Sequence, residues 1–284
     1  MNQMVAQSLQ GVGLPSLAVM IASAVWFGVF RKHPRLRAIG TGLIFAGGII
    51  WAYLLAFGGF AFPPRESGQW IPYLAGAVAL VGCLQGIRLG LWRQVSNLVL
   101  SLGTALIFFW SEISGNRLTL VWIIGVTVVL FLSTILLQQV IEDRCSGAEL
   151  SLGLALSAGA GGIVSFLGGS AVLGQLSGSI GAILGVIAVL AFFFNVTIGS
   201  VLPLVYLFIF GSLLLSGCLF AELPWLTAVL LWIAPWGLVI GQRLDHPKIS
   251  SRAKALVIRM LSVIALVAIA ICSAFLLVPP SSEL

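Results

Sequence analysis

Long apolar runs recur along this chain, each near the ~20 residues that a helix needs to cross a hydrocarbon core. Reading from the N-terminus, they predict spans at Leu14–Phe30, Ile39–Phe62, Ile71–Ile87, Val95–Trp110 and Leu118–Leu137. Between Glu149 and Glu222 no charged residue occurs, and that stretch has room for three crossings, placed near Leu150–Leu167, Ser179–Val196 and Ser200–Phe220. Two more follow, near Trp225–Gly241 and Ala255–Val278. The runs are apolar on every side, without the alternation of a barrel strand, and a lone strand would leave its backbone unpaired in lipid. The pattern therefore predicts an all-α, polytopic transmembrane bundle of about ten spans.

Composition sharpens this reading. Of 284 residues, 60% are hydrophobic and 8% charged, with a mean hydropathy of +1.15; an ordinary soluble domain carries about 25% charged residues. So few charges cannot coat a water-soluble protein of this size. Soluble enzymes, coiled coils and disordered chains are excluded. The net charge of +6 is no footprint of nucleic acid, because the cations sit in short clusters between apolar runs. All Lys and Arg except Arg65 and Arg117 fall on the connections after spans one, three, five, seven and nine. By the positive-inside rule those connections face the cytoplasm, and both termini lie on the non-cytoplasmic side of a bacterial inner membrane. The first 13 residues hold no Lys or Arg, which suits an uncleaved first span rather than a signal peptide. Trp70, Tyr73, Trp110 and Trp225 fall near the expected outer boundary, and Trp26, Trp92 and Trp236 near the inner one.

No linker is long enough to separate soluble domains, so residues 1–284 form one integral membrane domain. The mixed-charge connection around residues 138–149 divides it into candidate five-span halves, 1–144 and 145–284. Halves of that kind would be inverted relative to each other, an arrangement used by transporters. Pro203, Pro224 and Pro235 mark kinks in or beside spans eight and nine. Asn195-Val196-Thr197 is a formal sequon, but its expected cytoplasmic position makes Asn195 a helix cap instead.

Glycine is dense from Gly153 to Gly185, and Gly174/Gly178 and Gly181/Gly185 have the small-x-x-x-small spacing that lets helix backbones approach. Two readings stand. One is tight helix packing; the other is a broken helix lining a solute path, with hydrogen bonds from Ser165, Ser170 and Gln175. No acidic residue and no histidine lies mid-span, so a relay through a buried carboxylate is not expected. Gly168-Gly169-Ser170 has the look of a membrane serine protease motif, but no later span carries a histidine to activate the hydroxyl. No H-E-x-x-H or P-loop string occurs. No cofactor is expected. Cys83, Cys145, Cys218 and Cys272 are far apart and read as packing rather than as a disulfide or metal framework. The cluster Arg243, Lys248, Arg252, Lys254 and Arg259 is a topology signal and a candidate contact for anionic phospholipid headgroups, at about 1 kcal/mol per cation. Arg88 ends span three with Gln85 one turn earlier, a candidate polar patch. Arg65/Glu66 and Glu112/Arg117 read as solvated loop pairs.

Two stretches resemble known proteins. Ala75-Gly76-Ala77-Val78-Ala79-Leu80-Val81-Gly82, then Arg88, Leu98-Val99-Leu100 and Gly103-Thr104-Ala105, with Gly125 and Val129-Leu130-Phe131-Leu132, resembles the membrane subunit J of respiratory complex I. Leu89-Gly90 replaces that family's Asn-Pro, and Gly125 alone stands for its Tyr-Ala-Gly-Ala, so no functional residue is carried over. Ser170-Ala171-Val172-Leu173-Gly174-Gln175-Leu176-Ser177-Gly178, followed by Ala221-Glu222-Leu223-Pro224, is similar to uncharacterised multi-span membrane proteins of bacteria such as planctomycetes. That likeness implies a membrane location and no activity.

The expected function is that of a non-enzymatic membrane component, with the bilayer and other membrane subunits as partners. The alternative is a small-solute permease with spans six and seven lining the path. A cysteine introduced at Ser250 is expected to be protected from an impermeant thiol reagent applied outside; labelling from outside would reverse the threading.

Overall fold

The computed structural model describes residues 9–87, 90–109, 117–137, 146–196, 198–244 and 252–277. Among them every regular element is a helix. A π-helical turn, Leu9–Gly13, leads into α1 (Leu14–Val29) and α2 (Pro34–Phe57); a 3-10 turn, Ser67–Trp70, leads into α3 (Ile71–Ile87). Then come α4 (Leu91–Phe109), α5 (Arg117–Leu136), α6 (Gly147–Leu167), α7 (Ala171–Phe194) and α8 (Val201–Phe220). The last rods are α9 (Trp225–Ile233), joined by a 3-10 turn at Ala234–Trp236 to α10 (Gly237–Leu244), and α11 (Arg252–Leu277).

Among the described residues, seven helices are long and apolar enough to cross a membrane: Gln10–Val29, Pro34–Phe57, Thr119–Leu136, Gly147–Leu167, Ala171–Phe194, Val201–Phe220 and Leu256–Leu277. The other three predicted spans are helical but fall short for visible reasons. α3 has 17 residues, α4 opens on the polar residues Arg93, Gln94, Ser96 and Asn97, and Pro235 divides the rod formed by α9 and α10.

Several boundaries differ from the hydropathy reading, and caps explain why. α7 begins at Ala171, not near Ser179. Ser170 accepts a hydrogen bond from the Leu173 amide at 3.4 Å, and Gly169 adopts φ +81°, so the chain reverses within Gly168–Ser170. α2 starts at Pro34 rather than Ile39, because proline suits the first helical position, and it ends at Phe57 before Gly58 in the left-handed region. Asn195 caps α7 in the left-handed conformation at φ 49°, the capping role its sequence position suggested.

At the centre stands α8. Every residue from Val201 to Leu214 is buried, which is what a helix apolar all round requires. α1, α5 and α11 sit at the periphery and expose apolar side chains such as Val25, Val121 and Leu276. Several buried hydroxyls turn back onto their own helix: Thr41 on the Arg37 carbonyl, Ser101 on Asn97, Thr134 on Leu130 and Ser212 on Phe208. Others tie helices together. Pro235 lacks an amide hydrogen and so leaves the Leu231 carbonyl without its helical donor. Ser157 of α6 donates to that carbonyl at 2.7 Å, which fills the vacancy and fixes α9 against α6. The Trp232 indole, one residue on, donates to Ser133 of α5 at 3.0 Å.

The most extensive packing lies between α6 and α7, joined by their three-residue turn. A Cβ on Gly162 would lie 3.0 Å from both the Gly174 oxygen and the Gly178 nitrogen. One on Gly181 would lie 2.8 Å from the Gly159 nitrogen. Both helices are unbroken through this contact. A second seam joins α10 to α11, where a Cβ on Gly237 would lie 2.8 Å from the Val263 nitrogen and one on Gly241 2.5 Å from the Arg259 Cα.

Gly162→Leu and Gly181→Leu are expected to destabilise the bundle by about 1–3 kcal/mol each, since an added side chain there meets backbone that cannot give way. Gly178→Ala, whose Cβ meets nothing within 4 Å, is expected to unfold with the parent. Thermal unfolding in detergent checks all three; equal behaviour of Gly162→Leu and Gly178→Ala would contradict the seam.

Candidate functional site: a vestibule at one end of the bundle

A cavity of about 840 Å³ opens at the end of the bundle where α2, α4 and α8 finish and α7 begins. This lies within the ~300–1,000 Å³ range of ligand pockets. Phe57 at the end of α2 and Leu106, Ile107 and Phe108 in the last turns of α4 supply apolar wall, with Val172 and Leu173 from the first turn of α7. Phe220 and Ala221 close α8, and Ser216 sits one turn below them. Pro64, Arg65, Glu66, Gly68 and Trp70, from the segment between α2 and α3, complete the lining.

That segment is braced in three ways. The Gln69 side-chain oxygen accepts from the Arg65 amide at 2.8 Å and from the Glu66 amide at 3.5 Å, which starts the 3-10 turn. The Tyr73 hydroxyl donates to the Ala61 carbonyl at 2.8 Å. Around Tyr73 the rings of Phe60, Phe62 and Trp70 pack with centroids 6.1–6.5 Å away, and Tyr53 stacks on Phe57 at 4.4 Å. Aromatic contacts of this kind add ~0.5–1.5 kcal/mol each beyond area burial.

Polar groups in the lining are few. Arg65 and Glu66 are exposed, and Arg65 makes no ion pair among the described residues. Ser170 caps α7. Ser216 is 3% exposed, and its hydroxyl has no hydrogen-bond partner among the described residues.

The residues singled out in the sequence divide among several places. Ser170 is the one that reaches the vestibule. Ser165 is buried in α6. Gln175 packs against Gly11 of the N-terminal π turn, where Ser179 also donates to the Gly11 carbonyl at 3.2 Å. Gly174 lies under the Phe166 ring, Gly181 meets Gly159, and Gly178 faces Gly162. A Cβ on Gly185 would meet nothing, so the Gly181/Gly185 pair does not act as one packing unit. Sequence reasoning passed over Gly237 and Gly241, although they have the same spacing. It also set aside Arg65 and Glu66 as solvated and overlooked Ser216, whose burial without a partner has no sequence signature.

The opposite end is built of ion pairs and amides. Arg259 donates to Glu149 at 2.8 Å, with side chains 18% and 14% exposed, so its guanidinium is held by α6 while its backbone rests on Gly241 of α10. Of the remaining basic cluster, Arg243, Arg252 and Lys254 fall in α10 and α11, and Lys248 lies outside the described residues. Gln85 of α3 donates to Ser96 at 2.7 Å and to Asn97 at 2.8 Å of α4; Arg88, its expected neighbour, lies outside the described residues. Among the described residues, no three His, Cys, Asp or Glu side chains converge on a metal-sized space. No family model, no curated protein and no solved structure matches the chain.

Removing one member of the Glu149–Arg259 pair takes away the other's partner across α6 and α11. Arg259→Ala is expected to cost about 1–3 kcal/mol, typical of a hydrogen bond to a charged group. Glu149→Ala combined with Arg259→Ala is expected to cost less than the sum of the two single changes, a non-additivity that a double-mutant cycle of thermal unfolding reads directly.

Proposed function

We propose that this chain is a non-enzymatic component of a bacterial inner membrane, a bundle of about ten spans with both termini on the non-cytoplasmic side, serving as a partner for other membrane subunits. One observation supports this most strongly: α6 and α7 run without a break and touch backbone to backbone at Gly162–Gly178 and Gly159–Gly181. A solute path between these helices needs an interruption or a polar gap, and the seam has room for neither. Gln175, the longest polar side chain on that stretch, packs on the N-terminal turn.

The distribution of cations favours the same threading. Arg31, Lys32, Arg35 and Arg37 cluster around the turn from α1 to α2, whereas Arg65 sits on the vestibule rim. The former end then faces the cytoplasm. α3, α4 and the α9–α10 rod complete the ten spans as shorter or more polar helices, sheltered by packing on α8 and α11. His33 is exposed, and among the described residues no three His, Cys, Asp or Glu side chains group together to hold a metal.

Cysteine accessibility separates the two readings. In a chain whose four native cysteines are replaced by alanine, Ser165→Cys and Ser177→Cys are expected to resist a hydrophilic thiol reagent applied to either face of the membrane. Ser170→Cys, on the vestibule wall, is expected to react. Modification of Ser177→Cys would place water in the seam and favour passage.

A further inference from the structure

We infer that the corner where α1 turns into α2 docks an anionic phospholipid whose headgroup carries two phosphates, such as a cardiolipin. Arg31, Lys32, Arg35 and Arg37 crowd this corner within seven residues. The first three are exposed and Arg37 is half-buried, and none of the four has an ion-pair partner among the described residues. Carboxylates lie elsewhere. Of the described acidic residues, Glu66 and Glu222 belong to the vestibule end, and Glu149 is engaged by Arg259. Four Lys and Arg directly beside a membrane helix are the chemistry that docks anionic headgroups. At the α10–α11 cluster expected to meet such headgroups, Arg259 is instead held by Glu149.

The corner is ordered before any lipid arrives. The Trp26 indole donates to the Leu36 carbonyl at 3.0 Å and packs on the Phe30 ring at 4.2 Å. The His33 amide donates to the Phe30 carbonyl at 2.9 Å, and the Arg37 amide to the His33 carbonyl at 3.0 Å. Cations mounted on a fixed backbone lose less freedom on binding. Apolar side chains flank them. α7 ends at the same corner, where Phe194 meets Phe27 with ring centroids 6.0 Å apart, and it leaves Phe192 and Phe193 69% and 76% exposed. Cations next to exposed rings at a helix end match a phospholipid, with phosphates on the former and glycerol and acyl chains on the latter. An acidic protein segment would use the cations and leave the rings without a role. Two phosphates are needed because Arg31 and Lys32 precede the His33–Pro34 step while Arg35 and Arg37 follow it. A single phosphate answers one of these pairs and leaves the other uncompensated. The inference rests on the membrane reading of the chain but not on the α6–α7 seam.

Native mass spectrometry of the full chain in detergent, titrated with cardiolipin, phosphatidylglycerol and phosphatidylcholine of matched acyl chains, tests this. One cardiolipin per chain is expected, bound at least tenfold more tightly than phosphatidylglycerol, with phosphatidylcholine weaker still. Arg31→Gln, Lys32→Gln and Arg35→Gln together are expected to weaken cardiolipin at least tenfold. Phe192→Ala with Phe193→Ala keeps every charge and is expected to weaken it severalfold. Arg252→Gln with Lys254→Gln is expected to leave it unchanged. Thermal unfolding like the parent's checks that each variant is folded. Cardiolipin retention unaffected by the cation variant or by the phenylalanine variant overturns the corner, as does its loss on changing Arg252 and Lys254. Equal retention of phosphatidylglycerol overturns the two-phosphate headgroup, and equal retention of phosphatidylcholine overturns the anion. A chain that stays in its micelle yet keeps no cardiolipin overturns this inference alone and leaves the membrane reading standing.

Discussion

Where Gly162 of α6 meets Gly174 and Gly178 of α7, main chain rests on main chain, and the absence of side chains is what makes the contact. Lipid offers helices no hydrophobic reward for associating, so close van der Waals packing and interhelical hydrogen bonds must hold a membrane bundle together. The three-residue turn at Gly168–Ser170 sets the register of this hairpin, and Ser170 closes it by capping α7. On this paired base the central α8, buried from Val201 to Leu214, finds its place: Gly161 admits the Phe210 ring, which stacks on Tyr206 at 5.1 Å. The same device recurs at Gly237 and Gly241, where α10 lies against α11 and brings Arg259 within reach of Glu149.

Polar groups are few enough that each placement carries consequences. Ser157 answers the carbonyl that Pro235 leaves open, so a proline that would otherwise weaken the α9–α10 rod becomes an anchor between helices. The Gln85 amide nitrogen donates to Ser96 and to Asn97 at one end of the bundle. At the opposite end, Arg65 stands on the rim of a cavity, and the Ser216 hydroxyl is buried beside it without a partner among the described residues. The two ends therefore differ: polar side chains cross between helices at one, and the cavity opens at the other.

Hydropathy made the helical class and nearly every helix legible, because a run of apolar residues near twenty has few other uses. Boundaries were less legible. The expected start of span seven missed α7 by eight residues, since the cap at Ser170 and the left-handed Gly169 are local events that a window average smooths away. Glycine spacing was only half informative. Gly181 packs as its motif implies, Gly185 does not, and Gly237 with Gly241 packs without having been singled out. Spacing puts two glycines on one face but does not say what that face meets. The vestibule was illegible for the same reason: Phe57, Arg65, Phe108, Ser170 and Ser216 converge from different parts of the chain.

The separation of α6 and α7 in a bilayer tests the central contact most directly. Cryo-electron microscopy of the chain in lipid nanodiscs should show the two helix axes, at the level of Gly162 and Gly178, closer than the ~8–10 Å usual for packed helices, with continuous density and no solvent between them. A water-filled gap at that level, or an unwound segment in either helix, would contradict the account.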